Sequence, residues 1–329
     1  MLSNDQIKQQ SMAAYNQWCV QWREHAIENG KHEQKSLNDF HLVGTGRPVL
    51  LVGNGYSLER EIEVIKKHSG EIDILCCDKS LGHLIERGIK VTYCAIADAN
   101  VNYEEYMQPY EDKLQDTILI SNVCANPKWA NNGNWKDKYF VVNKDSIKSE
   151  AEFCKLSGCE NIIPAGTNVS NSMVVLMTQS DEKGRQNFFG YDKAILVGYD
   201  FSWDLKGSYY AFDKTGGGKA NYMKHLLGWG VDGQLSCTSN NLVFSAKWLR
   251  DYVSVFNLPV VQCSHEAVTG LRLHGKLSDH IGYKYKTDDA ARAQKLALDI
   301  GKAQEELKEW KRDLNGIIID HEQNMINTI

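Results

Sequence analysis

Gly53-Asn54-Gly55, with Ser57 just behind it, is an arrangement that brings bare backbone amides and the positive end of a helix up to a phosphate. Residues 48 to 52 before it form a short apolar run, the pattern of a strand buried on both faces. Leu58, Ile62 and Ile65 after it fall at i, i+4 and i+7 of a helix that Ser57 can cap. A glycine turn between strand and helix is also common with no ligand, so the reading depends on what lies downstream. Asn54, Asp78, Asp98 and Asn100 each follow an apolar run. In a parallel sheet such positions share the carboxyl edge, where these folds place their ligands. Thr167, Asn168, Ser170 and Asn171 lead into an apolar helix. Capping accounts for one of them, which leaves the others to hydrogen-bond a ligand at the helix's positive end. Tyr199 and Asp200 close the strand read over 193 to 198, where an aspartate can equally cap the following turn.

The elements that must position these residues are read from periodicity. Residues 3 to 40 read as helix, with Met12, Tyr15, Trp18, Cys19 and Trp22 as its apolar stripe, packed across the main body. Strands are expected over 72 to 77, 91 to 97, 118 to 123, 139 to 142 and 259 to 263, with a short helix over 81 to 87. Residues 129 to 135 read as a polar, turn-rich loop. The glycine-rich stretch 215 to 219 fits either a flap over the site or an ordinary surface loop. Ser239 opens a helix carrying Leu242, Ala246, Leu249 and Val253 on one face. From about 287 the apolar residues Ala293, Leu296, Ile300, Ala303, Leu307, Trp310, Leu314 and Ile317 alternate steps of three and four. So narrow a seam either docks on its own body or zips against a second copy, and the heptad form favours a homo-oligomer. The expected organisation is an N-terminal helical segment (1–47), a Rossmann-like α/β domain with a mostly parallel sheet and helices on both faces (48–285), and a long C-terminal helix (286–329).

Composition narrows the classes. With 329 residues, 42% hydrophobic and 24% charged, the chain can bury a substantial core. A formal net charge of -5 without a basic tract speaks against a nucleic-acid binder. No apolar run reaches membrane-spanning length and the N-terminus lacks a secretory pattern. The nine cysteines form no Cys-x-x-Cys pair, and several sit in strand-like apolar runs, which fits a reducing cytoplasm. The motifs of zincins, paired-cysteine zinc sites, P-loops and serine esterases are missing.

Taken in order, Gly53-Asn-Gly-Tyr-Ser-Leu58, Asp98 about forty residues later, Gly166-Thr-Asn-Val169, Leu196-Val-Gly-Tyr-Asp200 and Ser208-Tyr-Tyr-Ala-Phe-Asp213 resemble three related groups. These are the 6-hydroxymethylpterin diphosphokinase MptE-like family, the motility-associated (Maf) flagellin glycosyltransferases and the related bacterial sialyltransferases, over roughly 48 to 275. The resemblance implies a Rossmann-like domain binding a nucleotide-linked donor at the carboxyl edge of its sheet, with Asn54 and Gly55 beside the donor phosphates. It also implies that Tyr210 hydrogen-bonds the leaving phosphate, although aromatic packing is the plainer role for a tyrosine. This chain departs from the pattern in three places. Tyr56 stands where the family has proline. Asp78 and Asp98 stand where the sialyltransferases have asparagines, and two carboxylates facing a diphosphate would repel it unless Mg²⁺ sat between them. Cys237 stands where a catalytic histidine is expected, leaving His225 or His265 as substitutes. The resulting expectation is a transferase using a nucleotide-linked donor and an acceptor that the sequence does not name. Asn54, Gly55, Ser57, Asp78, Thr167, Asn168 and Ser170 hold the donor, and Asp98 and Asp200 hold Mg²⁺. Tyr210, Asp98 and His225 take part in the chemistry. Glycosyl transfer leads, diphosphate transfer to a pterin-like alcohol follows, and a non-catalytic nucleotide-binding or assembly protein is the third reading.

Overall fold

The computed structural model describes residues 4–281 except 42, 145–146, 165, 167, 179–188, 204–209, 213–225, 231–232, 234, 265–267 and 269. The C-terminal heptad seam therefore lies outside the described residues, as do His225, His265, Thr167 and the glycine-rich stretch.

Eight parallel strands form the central sheet: β1 (Pro48–Val52), β2 (Asp73–Cys77), β3 (Tyr93–Ile96), β4 (Ile118–Asn122), β5 (Asp137–Lys144), β6 (Ile162–Pro164), β7 (Lys193–Val197) and β10 (Val260–Gln262). Their spatial order is β10-β7-β1-β2-β3-β4-β5-β6. A separate antiparallel pair joins β8 (Leu226–Trp229) to β9 (Leu235–Thr238). The helices are α1 (Asn4–Asn29), α2 (Leu58–His68), α3 (Asp78–Glu86), α4 (Tyr103–Tyr106), α5 (Lys128–Asn132), α6 (Glu150–Ser157), α7 (Val169–Thr178) and α8 (Asn240–Val255).

Alternation along the strands divides the core between the two faces of the sheet. Leu50 and Val52 of β1, with Ile74, Cys76, Ile195 and Val197, pack against Leu58, Ile62 and Ile65 of α2 and Leu81 and Leu84 of α3. Val49 and Leu51, with Leu75, Cys77 and Leu196, meet Met173 to Met177 of α7 and Ala246 and Leu249 of α8. All five β1 residues are buried, as the unbroken apolar run requires. β2 runs on one side of β1 and β7 on the other, with Leu50 registered to both Ile74 and Ile195. The chain thus changes winding direction at β1, and this is where an open parallel sheet leaves a crevice for ligands.

Some elements differ from the sequence expectation. The first helix stops at Asn29 rather than near residue 40, because the buried Asn29 side chain donates to the carbonyls of Val123 (2.9 Å) and Ala125 (3.0 Å). A 3₁₀ turn, Leu37–Phe40, then buries Leu37 and Phe40 in the opposite core from Ala26. Of the α1 stripe, Tyr15 and Trp22 pack on the core, whereas Met12 and Trp18 are exposed. The stretch read as a polar loop instead contains α5. Trp129 is fully buried there, and Trp135 Nε1 donates to its carbonyl at 2.7 Å. The third helix begins at Asp78, three residues earlier than expected, which moves Asp78 and Lys79 from a strand end onto a helix's first turn.

The β1–β7 junction needs glycine for space as well as for conformation. Gly53 N donates to Val197 O and Gly55 N to Gly198 O, both at 2.9 Å. A Cβ on Gly198, which has φ +70°, would lie 2.5 Å from the Gly53 carbonyl oxygen. Gly88 has φ +71° but open space around it. Gly88→Ala should therefore cost about 1–2 kcal/mol in urea unfolding, the backbone term alone. Gly198→Ala, adding a backbone clash, should cost roughly 3 kcal/mol or more. Equal losses would remove the close-approach argument.

Candidate active site

The N-terminus of α2 is the first place to look for a phosphate, and it is already taken by a carboxylate of the chain itself. Asp200, 1% exposed, accepts from Ser57 N at 2.8 Å and from Ser57 Oγ at 2.5 Å. Asp200 follows β7 and Ser57 precedes α2, so the contact closes the two chain ends at the winding reversal. Its energetic basis is a charge-assisted pair of hydrogen bonds together with the helix dipole. A Cβ on Gly55 would run into the Asp200 carboxylate and the Gly198 carbonyl, so the glycine makes room for this clamp and not for a ligand. Ser57 was expected to cap α2 and to hold the donor. Its side chain makes no capping bond, and both of its donors serve Asp200. Asp200 was expected to hold a metal, but both of its oxygens accept from Ser57.

Beside this clamp, a cavity of 390 Å³ opens at the carboxyl ends of β1, β2, β3 and β7. It gathers Asn54, Gly55, Asp78, Asp98, Asn168, Ser170 and Asp200, residues singled out across nearly 150 positions of sequence. Asn54 is 9% exposed, and its buried Oδ1 has no hydrogen-bond partner among the described residues. Asn168 Oδ1 accepts from Asn171 N at 2.9 Å, which caps α7 and directs that helix's positive end at the cavity. Ser170 lines the same wall, and its carbonyl accepts from the Tyr199 hydroxyl at 2.9 Å. Phe201, also on the wall, has φ 51°, a left-handed conformation rare for a bulky side chain.

Lys79 is the functional candidate that sequence reasoning missed. It lines the cavity, and its Nζ donates to the Tyr210 hydroxyl at 2.9 Å and lies 4.5 Å from that ring's centroid. Burial pulls the ammonium's pKa down, but Tyr210 and then Asp78 outweigh it, so the group stays protonated. The signal was a lysine one residue after a strand-ending aspartate. Its meaning depended on the helix starting at Asp78. Tyr210 in turn is held by an extended segment: Gly55 and Tyr210 form an antiparallel bridge, and Ala211 N donates to Asn54 O at 3.0 Å. Phe212 N donates to Glu59 Oε1 at 2.5 Å, and the Arg87 guanidinium carbon lies 3.7 Å from the Phe212 ring centroid. Phe212 has φ 58°, the second bulky left-handed residue around the site.

Asp78 is 3% exposed and accepts from Lys79 N at 2.7 Å through Oδ1. Burial, with a smaller contribution from the Asp98 carboxylate, pushes its carboxyl up to about 6, while Lys79 holds it from rising further. Asp98 is exposed on the cavity's outer wall and accepts from Asn100 N at 2.8 Å. Among the described residues, no group of three His, Cys, Asp or Glu side chains is placed to hold a metal. Cys77 lines the cavity, but burial pushes its thiol up to about 12, so it offers no thiolate. Cys237, at the position where a histidine was expected, is fully buried in β9, and burial raises its thiol. It cannot serve as a base.

The Asp78 environment has a measurable consequence. A folded-state carboxyl near 6, against an ordinary value of 3.8, means that ionised Asp78 destabilises the fold. Stability from this group is fully present below pH 4 and lost as pH rises through 6. Asp78→Asn should therefore stabilise the protein at pH 8 by on the order of 2–3 kcal/mol, with the gain vanishing near pH 4. Denaturant titrations at both pH values measure it, and a variant no more stable at pH 8 would show that the carboxylate is not penalised.

Comparison with known proteins agrees with this architecture. The solved Maf glycosyltransferase of Magnetospirillum magneticum AMB-1 superposes with a TM-score of 0.57 at 14% identity, over 86% of this chain and 42% of that one. At that identity the likeness is one of fold, and the chain spans less than half the length of that protein. No curated protein matches the sequence significantly. No described helix is long and apolar enough to cross a membrane. The family model for 6-hydroxymethylpterin diphosphokinase MptE-like proteins matches residues 24–205, more than half of the chain and all of β1 to β7. The chain belongs to the 6-hydroxymethylpterin diphosphokinase MptE-like family.

Proposed function

We propose that this chain is a transferase that takes a group from a nucleotide-linked donor and passes it to an alcohol. The observation that carries the reading is Lys79, which lines a cavity that also receives the positive end of α7 and which donates to the Tyr210 hydroxyl behind it. When the bond between donor phosphate and transferred group breaks, its electron pair stays on the phosphate oxygen. A protonated lysine, a phenol and a helix end are preorganised donors for that charge. Asn54 lines the same wall. The acceptor oxygen forms the new bond and loses its proton to Asp78, whose raised proton affinity suits a base near neutral pH.

Glycosyl transfer remains the leading chemistry, because the Ser208-Tyr-Tyr-Ala-Phe-Asp213 segment that carries Tyr210 resembles that of the sialyltransferases more than that of the diphosphokinases. Diphosphate transfer is the second reading, favoured by the two carboxylates on the donor wall. Asp98, exposed on the cavity's outer wall, fits a Mg²⁺ ion that takes the rest of its shell from donor phosphates and water, and such an ion would neutralise charge on the diphosphate.

Thermal shift against CMP, UDP, GDP, AMP and ATP, each with and without Mg²⁺, tests the donor. Saturation at 100 times the dissociation constant adds about 2.7 kcal/mol of stability. One nucleoside diphosphate acting only with Mg²⁺ is the outcome expected for glycosyl transfer, and ATP with Mg²⁺ the one expected for diphosphate transfer. No shift with any nucleotide would leave a non-catalytic assembly role. Once a donor is known, Tyr210→Phe and Lys79→Met should each lower kcat roughly 100-fold, the usual cost of removing one such donor. In the same assay, Asp98→Ala should abolish any metal dependence of turnover; unchanged metal-dependent turnover would discard the role given to that carboxylate.

A further inference from the structure

Lys79, His83 and Arg87 stand four residues apart at the start, in the last turn and just past the end of α3, a spacing that puts them on one face. That face meets residues 210–212 at two points. The Lys79 ammonium donates to the Tyr210 hydroxyl at 2.9 Å. About two helical turns further on, the Arg87 guanidinium carbon lies 3.7 Å from the Phe212 ring centroid, with the His83 ring 5.1 Å from it. Arg87 is fixed in turn, since its Nη1 donates to the His83 carbonyl at 2.8 Å. The backbone between the two rings is held from the other side. Ala211 N donates to Asn54 O at 3.0 Å, and Phe212 N donates to Glu59 Oε1 of α2 at 2.5 Å. Ala211 is buried, and Phe212 is half-buried against the core that α2 and α3 cover. Phe212 keeps φ 58° under these contacts, a left-handed backbone that a bulky residue holds only where its surroundings over-determine it.

We infer that Phe212 is a positioning residue for Lys79: braced by Arg87 and His83, it fixes Tyr210 against the ammonium from outside the cavity. Neither Phe212 nor Arg87 lines the cavity, so an effect of theirs on it passes through Tyr210 and Lys79. The inference rests on the transferase reading above only in taking Lys79 as a working cation of the site, and it adds what keeps that cation placed and charged. An ammonium on a flexible four-carbon stem has three rotatable donors, so one hydrogen bond to a loose partner would not fix it. A tyrosine held at a set place does, because it offers a hydroxyl and a ring together, the Lys79 Nζ lying 4.5 Å from the ring centroid. Burial lowers the ammonium's pKa, and Tyr210 followed by Asp78 outweighs that, so a Tyr210 free to move away would give up part of the charge. Both contact points lie on one helix, so α3 itself sets the distance from the Phe212 anchor to Lys79. The brace needs a planar cation on an aromatic face, which an aliphatic side chain at either position does not reproduce.

The test follows Lys79 in the full chain by NMR of lysine ¹³C-labelled at Cε, with Lys79→Met assigning its signal. In the unaltered chain Lys79 should titrate above the ordinary lysine value, as its contacts require. Phe212→Leu keeps apolar bulk but offers the guanidinium no face, and it should bring the Lys79 midpoint down. Phe212→Tyr, which restores a face, should leave the midpoint where it was. Arg87→Met should lower the midpoint too and speed hydrogen exchange of the Ala211 amide about fivefold, as loss of one partly buried cation–π contact would. A merely structural role for Phe212 would lower stability without moving the Lys79 midpoint. A midpoint that is not raised in the unaltered chain, that ignores Phe212→Leu and Arg87→Met, or that is equal in Phe212→Leu and Phe212→Tyr overturns the inference. These readings involve neither nucleotide nor turnover. If nucleotides bind and the midpoint ignores the variants, the brace falls alone. If the midpoint moves and no nucleotide stabilises the chain, the brace stands and the transferase reading falls.

Discussion

The contact between Asp200 and Ser57 is the constraint on which the site depends. A parallel sheet that reverses its winding leaves two strand ends side by side with a crevice between them, and nothing in the strand pairing itself fixes the loops that leave those ends. Here the carboxylate after β7 closes on the first amide and hydroxyl of the helix after β1. Such a contact satisfies two donors at a helix N-terminus and places a negative charge at its positive end. Gly53, Gly55 and Gly198 are what allow the two backbones to approach closely enough. With those loops fixed, Asn54 stands on the cavity wall and its carbonyl can accept from Ala211, which in turn sets Tyr210 beside Lys79.

One consequence concerns charge. The helix end that most resembles a phosphate site is neutralised internally, so attraction for an anionic ligand falls to Lys79 and to α7. Against these stand two carboxylates, one of them buried and ionising only with difficulty. Burying Asp78 beside Asp98 is unfavourable for the fold, and such a cost is expected where a site, rather than the core, has shaped the choice of residue. The left-handed Phe201, on the wall of the same cavity, belongs to the same pattern, since it holds a bulky side chain in a backbone region it would ordinarily avoid.

Much of this could be read from the chain, for identifiable reasons. Strands buried on both faces are continuous apolar runs, so β1, β2, β4 and β7 stood out within a residue or so, and the polar residue ending each run led to the correct edge of the sheet. Asn54, Asp78, Asp98 and Asp200, read as strand-ending residues, and Asn168 and Ser170, read as the lead into a helix, all line the one cavity. The misreadings came from contacts between segments distant in sequence. Ser57 looked like a cap because capping is a local rule, and nothing local says that a carboxylate 143 positions later takes its place. Trp129 and Trp135 sat among asparagines and glycine, so burial of both rings was invisible to periodicity. Lys79, one residue after a strand-ending aspartate, took on meaning only when the start of α3 placed it opposite Tyr210, 131 residues away.

The cations near the site are likewise placed by contacts between distant elements. Lys79 lines the cavity because α3 starts directly at the end of β2, while Arg23 of α1 is engaged by Glu152 at 2.5 Å and by the Tyr15 hydroxyl at 2.8 Å. The Arg23–Glu152 pair joins α1 to α6 and is half exposed, so its contribution to stability is small.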